Sequence, residues 1–382
     1  MKKARLILDN GMVFEGTSIG ADNTLFCELV FNTSMTGYQE ILTDPSYASQ
    51  AIVMTYPEIG NTGINTFDFE SQKIYARGLI VKNYCYNESH YLSNMTLRDF
   101  LIQNDVVGIS GIDTRALTRI LRSSGTVNCV VTTEQVTDKL LEELERYKLS
   151  KDIVLMTTRK HVEHIEPSRF VCHPVKLAVI DYGIKSNILR ELARLGCDLT
   201  VFPADVTAEE ILNGDFDSVF LSNGPGDPAN CSYQIEVIKK LVDKLPIFGI
   251  CLGYQLLSIV LGAKTYKLKY GHRGGNHPVI DLRNGKVMLT SQNHGYAVDT
   301  ESLNENITPT YKNLNDNTLE GFCCEKSRIY AVQFHPEAAP GPVDANIIFD
   351  EWYKKMISFK KSTNTKKEVT NTTILTEVSN TK

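Results

Sequence analysis

The sequence predicts an α/β protein in two parts: an N-terminal α/β domain over residues 1–150, then a mostly parallel central sheet flanked by helices over residues 175–358. Three observations predict it. Apolar runs of strand length alternate with helical patterns through most of the 382 residues. The alternation is irregular up to about Leu149 and becomes a regular strand–helix cadence from Lys176, as parallel strands joined by crossover helices require. Between the two, residues 151–174 lose periodicity and carry Pro167 and Pro174, the composition of an inter-domain linker. With 42% hydrophobic and 22% charged residues, a chain of this length can bury two cores.

In the first part, Ala4 to Leu8 reads as a strand, Asn10-Gly11 as a hairpin turn and Met12 to Gly16 as the return. Leu25 to Phe31, Ala51 to Thr55, Gly78 to Lys82 and Asn128 to Thr132 are further strands. Thr96 to Gln103, Thr114 to Leu121 and Glu134 to Tyr147 are helical. The helix from Thr114 puts Leu117, Ile120 and Leu121 on one face and Arg115, Arg119 and Arg122 around the other, the pattern of a solvated basic face.

In the second part, Leu177 to Ile180 is a strand, and Ile188, Leu189, Leu192 and Leu195 mark a helix face that ends at Gly196. Leu199 to Phe202 and Ser218 to Leu221 are strands, with a capping box at Thr207-Ala-Glu-Glu210 opening a short helix between them. Ile247 to Ile250 is a buried strand and Leu252 starts a helix. Asn284-Gly285 reads as a hairpin turn, Ser291 to Tyr296 as a polar loop between antiparallel strands, and Ile329 to Phe334 as the last strand. Residues 359–382, rich in Lys, Thr, Asn and Ser, are expected to be a disordered tail.

Composition narrows the function classes. A net charge of −5 supplies no electrostatic reason for nucleic acid or an anionic membrane as partner. Nine cysteines without C-x-x-C spacing suit free thiols in a reducing compartment. The apolar run Leu6-Ile7-Leu8 stops at Asp9, too short for a signal peptide or a span. The expectation is an intracellular chain, cytoplasmic in a bacterium or stromal in a plastid.

Chemistry concentrates at three strand ends, where open α/β sheets gather their ligands. Cys251 lies between Gly249 and Gly253 on the turn from strand to helix, a nucleophile elbow. Glycines relieve backbone crowding there, and the helix N-terminus favours a thiolate. For an arbitrary cysteine a small buried hydrophobe is the commoner role; the context reverses that. Ser222 to Pro228 is a glycine- and proline-rich loop directly after a strand, able to turn the chain and to present N–H groups to an oxyanion. His335-Pro-Glu337 follows the last strand, with the carboxylate placed to hold the imidazole while its other nitrogen faces a thiol. His272, His277 and His294 have no need of a metal in this logic and read as loop histidines satisfied by backbone.

With these three features the C-terminal half resembles the class I (triad) glutamine amidotransferase domain. The stretches Phe31 to Tyr47, Gly111 to Arg115, Ser222 to Pro228, Gly271 to Pro278 and His335 to Pro342 widen the likeness to the small, glutamine-hydrolysing subunits of carbamoyl-phosphate synthases. The resemblance implies that Cys251 attacks the glutamine carboxamide, that His335 shuttles the proton and that Glu337 orients His335. It implies oxyanion N–H groups at Gly224 and Leu252, and glutamine contacts at Ser46, Gly226, Gln255, Asn293, Gly295 and Tyr296. It further implies that the chain itself carries no cofactor. A large partner subunit, with which it forms a heterodimer or higher oligomer, would use ATP and magnesium to make carbamoyl phosphate for arginine and pyrimidines. Two positions depart from the family pattern: Tyr254 stands where histidine is usual, and Tyr296 where phenylalanine is common. A Cys-His-Glu peptidase or γ-glutamyl hydrolase on the same half is the rival enzyme class; a catalytically silent scaffold is the non-enzymatic rival.

Overall fold

A computed structural model of the chain describes residues 2–362. The N-terminal part closes a seven-stranded barrel. Its strands lie in the order Lys3–Leu8, Val13–Ser18, Val107–Ser110, Gly78–Ile80, Gln50–Met54, Thr24–Asn32 and Val127–Thr132, the last pairing back on the first. Closure leaves no edge strand open to aggregation. The hairpin turns at Gly11, whose φ of +84° suits glycine. Period-two alternation divides the strands: Leu29, Phe31, Ala51 and Val53 pack inside with Leu117 and Leu121 of the helix Thr114–Ser124, and Val30, Ile52 and Met54 pack on the other side. The sequence reading omits Val107–Ser110. That strand is buried at every position and so shows no alternation, and Gly108 is kept bare by Ile19 and Leu101 pressing on it.

The second part is built on a ten-stranded mixed sheet. Five adjacent strands, Cys197–Pro203, Val175–Asp181, Ser218–Leu221, Ile247–Ile250 and Ile329–Val332, are parallel. Antiparallel strands extend both edges. On one side Leu319–Cys324, Thr308–Asn313, Thr265–Asp281 and Val287–Val298 follow, and on the other Glu163–Ile165. Helices cover both faces: Ala208–Leu212, Ser232–Leu241 and Leu252–Val260 on one, Ser186–Leu195 and a helix over residues 347–362 on the other. Among the described residues no helix is long and apolar enough to cross a membrane.

Three expectations change. Residues 151–174 are not all irregular: Ile153–Thr157 is helical and Glu163–Ile165 adds an edge strand to the sheet. The tail does not start at 359, because residues 359–362 continue the last helix. Phe359 stacks on Tyr330, and Lys360 bonds Pro174 O and Asp217; the rest of the tail lies outside the described residues. Ser291 to Tyr296 is strand rather than loop, paired with Arg273 and its neighbours. Its polar side chains hide the alternation because they face a buried polar pocket instead of solvent.

The elbow depends on two glycines facing each other. A Cβ on Gly249 would lie 2.9 Å from the carbonyl carbon of Gly253, and one on Gly253 would lie 2.4 Å from the Leu221 carbonyl oxygen. Backbone, unlike a side-chain tip, cannot move aside. Gly253→Ala is therefore expected to cost about 2–4 kcal/mol, read as a lowered urea midpoint at unchanged slope.

Candidate active site

Cys251 has φ 53° and ψ −101°, a strained setting held because its N–H bonds Val332 O at 2.9 Å and its C=O accepts from Gln255 N at 3.1 Å. The side chain is 2% exposed, and its thiol donates to Asn293 O at 3.7 Å. The turn that strains Cys251 also aims it into a cavity. The lining of that cavity includes Ser46 from the barrel, Gly224 and Gly226 from the loop after Ser218–Leu221, Gln255 from the elbow helix, and Asn293, Gly295 and Tyr296 from the strand Val287–Val298. Behind the thiol, His335 and Glu337 are fully buried, Nδ1 of His335 meeting Glu337 Oε1 at 2.6 Å. Its Nε2 has no hydrogen-bond partner among the described residues, while Cys251 is near enough to favour the charged ring.

The amides of Gly224 and Leu252 donate to no other group among the described residues. The loop can bring Gly224 this close only as glycine, since a Cβ would sit 2.4 Å from Tyr182 O. The arrangement thus offers a nucleophile, a base held by a carboxylate, and free N–H donors around one small polar cavity.

Several side chains packed into the candidate site escape sequence reading. Lys185, 2% exposed, donates to Glu337 Oε1 at 2.9 Å and to Ala338 O. Its position just past a strand end was the available signal; that it stays inside with a carboxylate was not legible. Asn223 bonds Ser46 Oγ at 2.9 Å, and Asp44 joins Ser46 N at 2.8 Å to Asn293 Nδ2 at 2.9 Å. Both halves of the chain therefore build the cavity. Gln255 is held by Tyr296 O and Gln333, each at 3.0 Å. Tyr254 turns away from the site: its hydroxyl bonds Leu319 O and its ring packs on Phe322.

Of the three histidines, none lies in a loop. His294 bonds Tyr296 O and Gln292, and His272 bonds the Asp316 carboxylate. His272, His294 and Glu320 offer ligand atoms within 4.8 Å of one another, but Asn313 already bonds Glu320 and both ring nitrogens of His294 are engaged.

Burial opposes charge on both members of the His335–Glu337 pair, yet each is held ionised. Lys185, then His335, bring the Glu337 carboxyl down to about 2 from its ordinary 4.5, and Glu337 with Cys251 raises His335. A depressed carboxyl contributes stability that is complete above its ordinary 4.5 and is lost as pH falls toward 2. A raised histidine contributes stability that is complete below its ordinary 6.5 and is lost as pH rises through the higher value. Glu337→Gln is thus expected to flatten the loss of stability below pH 4.5, measured as urea midpoints across the acid range; an unchanged acid limb would remove Glu337 from that role.

A thiol elbow on a parallel sheet with a histidine–carboxylate pair at the neighbouring strand end defines a class I glutamine amidotransferase domain, and the family description "Glutamine amidotransferase class-I" matches residues 178–355. The barrel completes the identification: "Carbamoyl-phosphate synthase small chain, CPSase domain" matches residues 6–131. The chain is 48% identical to the carbamoyl phosphate synthase small chain of Clostridium perfringens, over 92% of this chain and 99% of that one. It is 47% identical to that of Clostridium acetobutylicum over the same shares. With the chloroplastic small chain of Oryza sativa it shares 44% over 93% of this chain and 82% of that one. The chain belongs to the carbamoyl phosphate synthase small chain family.

Proposed function

We propose that this chain hydrolyses glutamine through a Cys251–His335–Glu337 triad and hands the ammonia to a large synthetase subunit. One observation carries the reading: Cys251 opens into the cavity that Ser46, Gly224, Gly226, Gln255, Asn293, Gly295 and Tyr296 line, with the His335–Glu337 pair buried behind it. Cys251 passes its thiol proton to His335, and its Sγ attacks the side-chain carbonyl carbon of glutamine. The oxyanion that forms is received by the Gly224 and Leu252 amides, donors whose loss in comparable sites costs about 10²–10³ in rate. His335, whose charged form its neighbours favour, gives that proton to the departing nitrogen. Ammonia leaves and a γ-glutamyl thioester remains on Cys251. His335 then takes a proton from water, whose oxygen attacks the thioester carbonyl, and passes it to the departing sulfur, so that glutamate leaves and the thiol is restored. Ser46, Gly226, Gln255, Asn293, Gly295 and Tyr296 hold the rest of the substrate.

The partner subunit, supplying the ATP and magnesium sites, combines this ammonia with bicarbonate to form carbamoyl phosphate for arginine and pyrimidine synthesis. The thioester is the testable step. Rapid acid quench of the complex with glutamine, followed by mass spectrometry, is expected to find a γ-glutamyl adduct on Cys251; glutamine turnover with the adduct on another residue would overturn the assignment. A tagged copy is expected to co-purify with a large ATP-using chain.

A further inference from the structure

One buried charge in the cavity is not used by the triad. Arg273, on the strand Thr265–Asp281 opposite Asn293, is 4% exposed and lines the same cavity as Cys251. Its Nη1 donates to Tyr270 O at 2.7 Å, and its Nε has no hydrogen-bond partner among the described residues. Its Nη2 lies 3.4 Å from where a Cβ on Gly295 would stand, so the guanidinium lies against the strand Val287–Val298 at a position with no side chain.

No carboxylate of the described residues forms an ion pair with Arg273. Glu28, which also lines the cavity and acts on Arg273 through space, is already engaged by Lys267 at 2.7 Å, Thr126 at 3.0 Å and Gln50 at 2.9 Å. Burying a guanidinium without an anion in direct contact is costly, and burial pulls its proton affinity down although Glu28 opposes this from a distance. Such a group is stable in place when an anion from outside completes it, and a planar donor fork suits a carboxylate best.

Resting on the glutaminase reading, we infer that Arg273 is a specificity-determining residue that receives the α-carboxylate of glutamine while Cys251 takes the carboxamide at the other end. Amides that lack the carboxylate would leave the guanidinium buried and unpaired, and so are rejected.

The test compares glutamine with its decarboxylated counterpart, 4-aminobutanamide, on the complex of this chain with its large subunit. Arg273→Gln is expected to raise KM for glutamine roughly tenfold or more with kcat little changed, and to leave 4-aminobutanamide turnover where it was. The preference between the two amides then collapses, and Arg273→Lys restores part of it. In the Cys251→Ser background, which cannot turn glutamine over, added glutamine is expected to raise the thermal midpoint, and Arg273→Gln to remove that rise without lowering the midpoint of the substrate-free chain. Arg273→Met replaces Arg273→Gln if the latter fails to fold. An equal loss of kcat/KM on both amides, or an unchanged preference, would overturn the inference. Failure of the glutaminase reading looks different: the unaltered complex would then hydrolyse neither amide.

Discussion

Replacing Cys251 by serine is expected to lower glutamine-dependent synthesis by the assembled enzyme on the order of 10⁴-fold or more, while ammonia-dependent synthesis stays within about twofold. Two properties of the site separate these activities. In the proposed mechanism the thiol attacks the carboxamide, and a serine hydroxyl at the same elbow lacks a thiol's intrinsic nucleophilicity. The substitution is also sterically quiet, because a hydroxyl fits a 2% exposed side chain that only donates to Asn293 O. Strain at Cys251 is set by backbone bonds to Val332 and Gln255, which do not depend on the side chain. The barrel and its contacts are therefore unchanged, and ammonia supplied from solution bypasses the missing step. Steady-state rates with glutamine and with ammonium salts measure both arms. Loss of both would show that residue 251 governs assembly, and survival of glutamine-dependent synthesis would remove the thiol from the chemistry.

Lys185→Met carries the largest expected effect on folding, about 3–5 kcal/mol. Glu337 has a side chain with no exposed surface and one cation, Lys185, in hydrogen-bond contact besides the ring of His335. Without the ammonium, Glu337 stays charged in the interior or takes up a proton. The first strands a charge. The second weakens its hold on His335 Nδ1 and with it the ring orientation on which the proposed proton transfer depends. Glutamine hydrolysis is expected to fall about 10²–10³-fold alongside. Lys185→Met with Glu337→Gln separates the two effects, because neither member of the pair is then left charged without the other. The double variant is expected to regain most of the stability and little of the activity. Urea midpoints decide the matter: a loss under about 1 kcal/mol in Lys185→Met would mean that the pair is not the clamp described.

Much of the site was legible because its parts are local. Cys251 between two glycines, the Ser222–Pro228 loop and His335-Pro-Glu337 each declare themselves within a few residues, since a turn of given shape needs particular residue types at fixed spacing. Lys185, Asn223 and Asp44 did not, because what ties each to the candidate site is a partner more than a hundred residues away, and Arg273 did not, because its burial beside the cavity is a matter of the fold. Lysine and arginine are read from sequence as surface residues by default. The strand Val287–Val298 was misread at Ser291–Tyr296 for a related reason: alternation signals a strand only when one face meets water.

The sequence by itself determined the strand–helix cadence from Lys176 onward, with its mostly parallel sheet, and the sharp turn at Cys251. Those are consequences of periodicity and backbone sterics acting over short distances. Only the tertiary structure decided which charges are buried and with whom, that the N-terminal part lends Ser46 to a cavity belonging mostly to the other half with Asp44 bonding across to Asn293, and that Arg273 is buried beside that cavity with no ion pair among the described residues. Desolvation and pairing depend on what surrounds a group in space, and neighbours in space are what a linear pattern does not record.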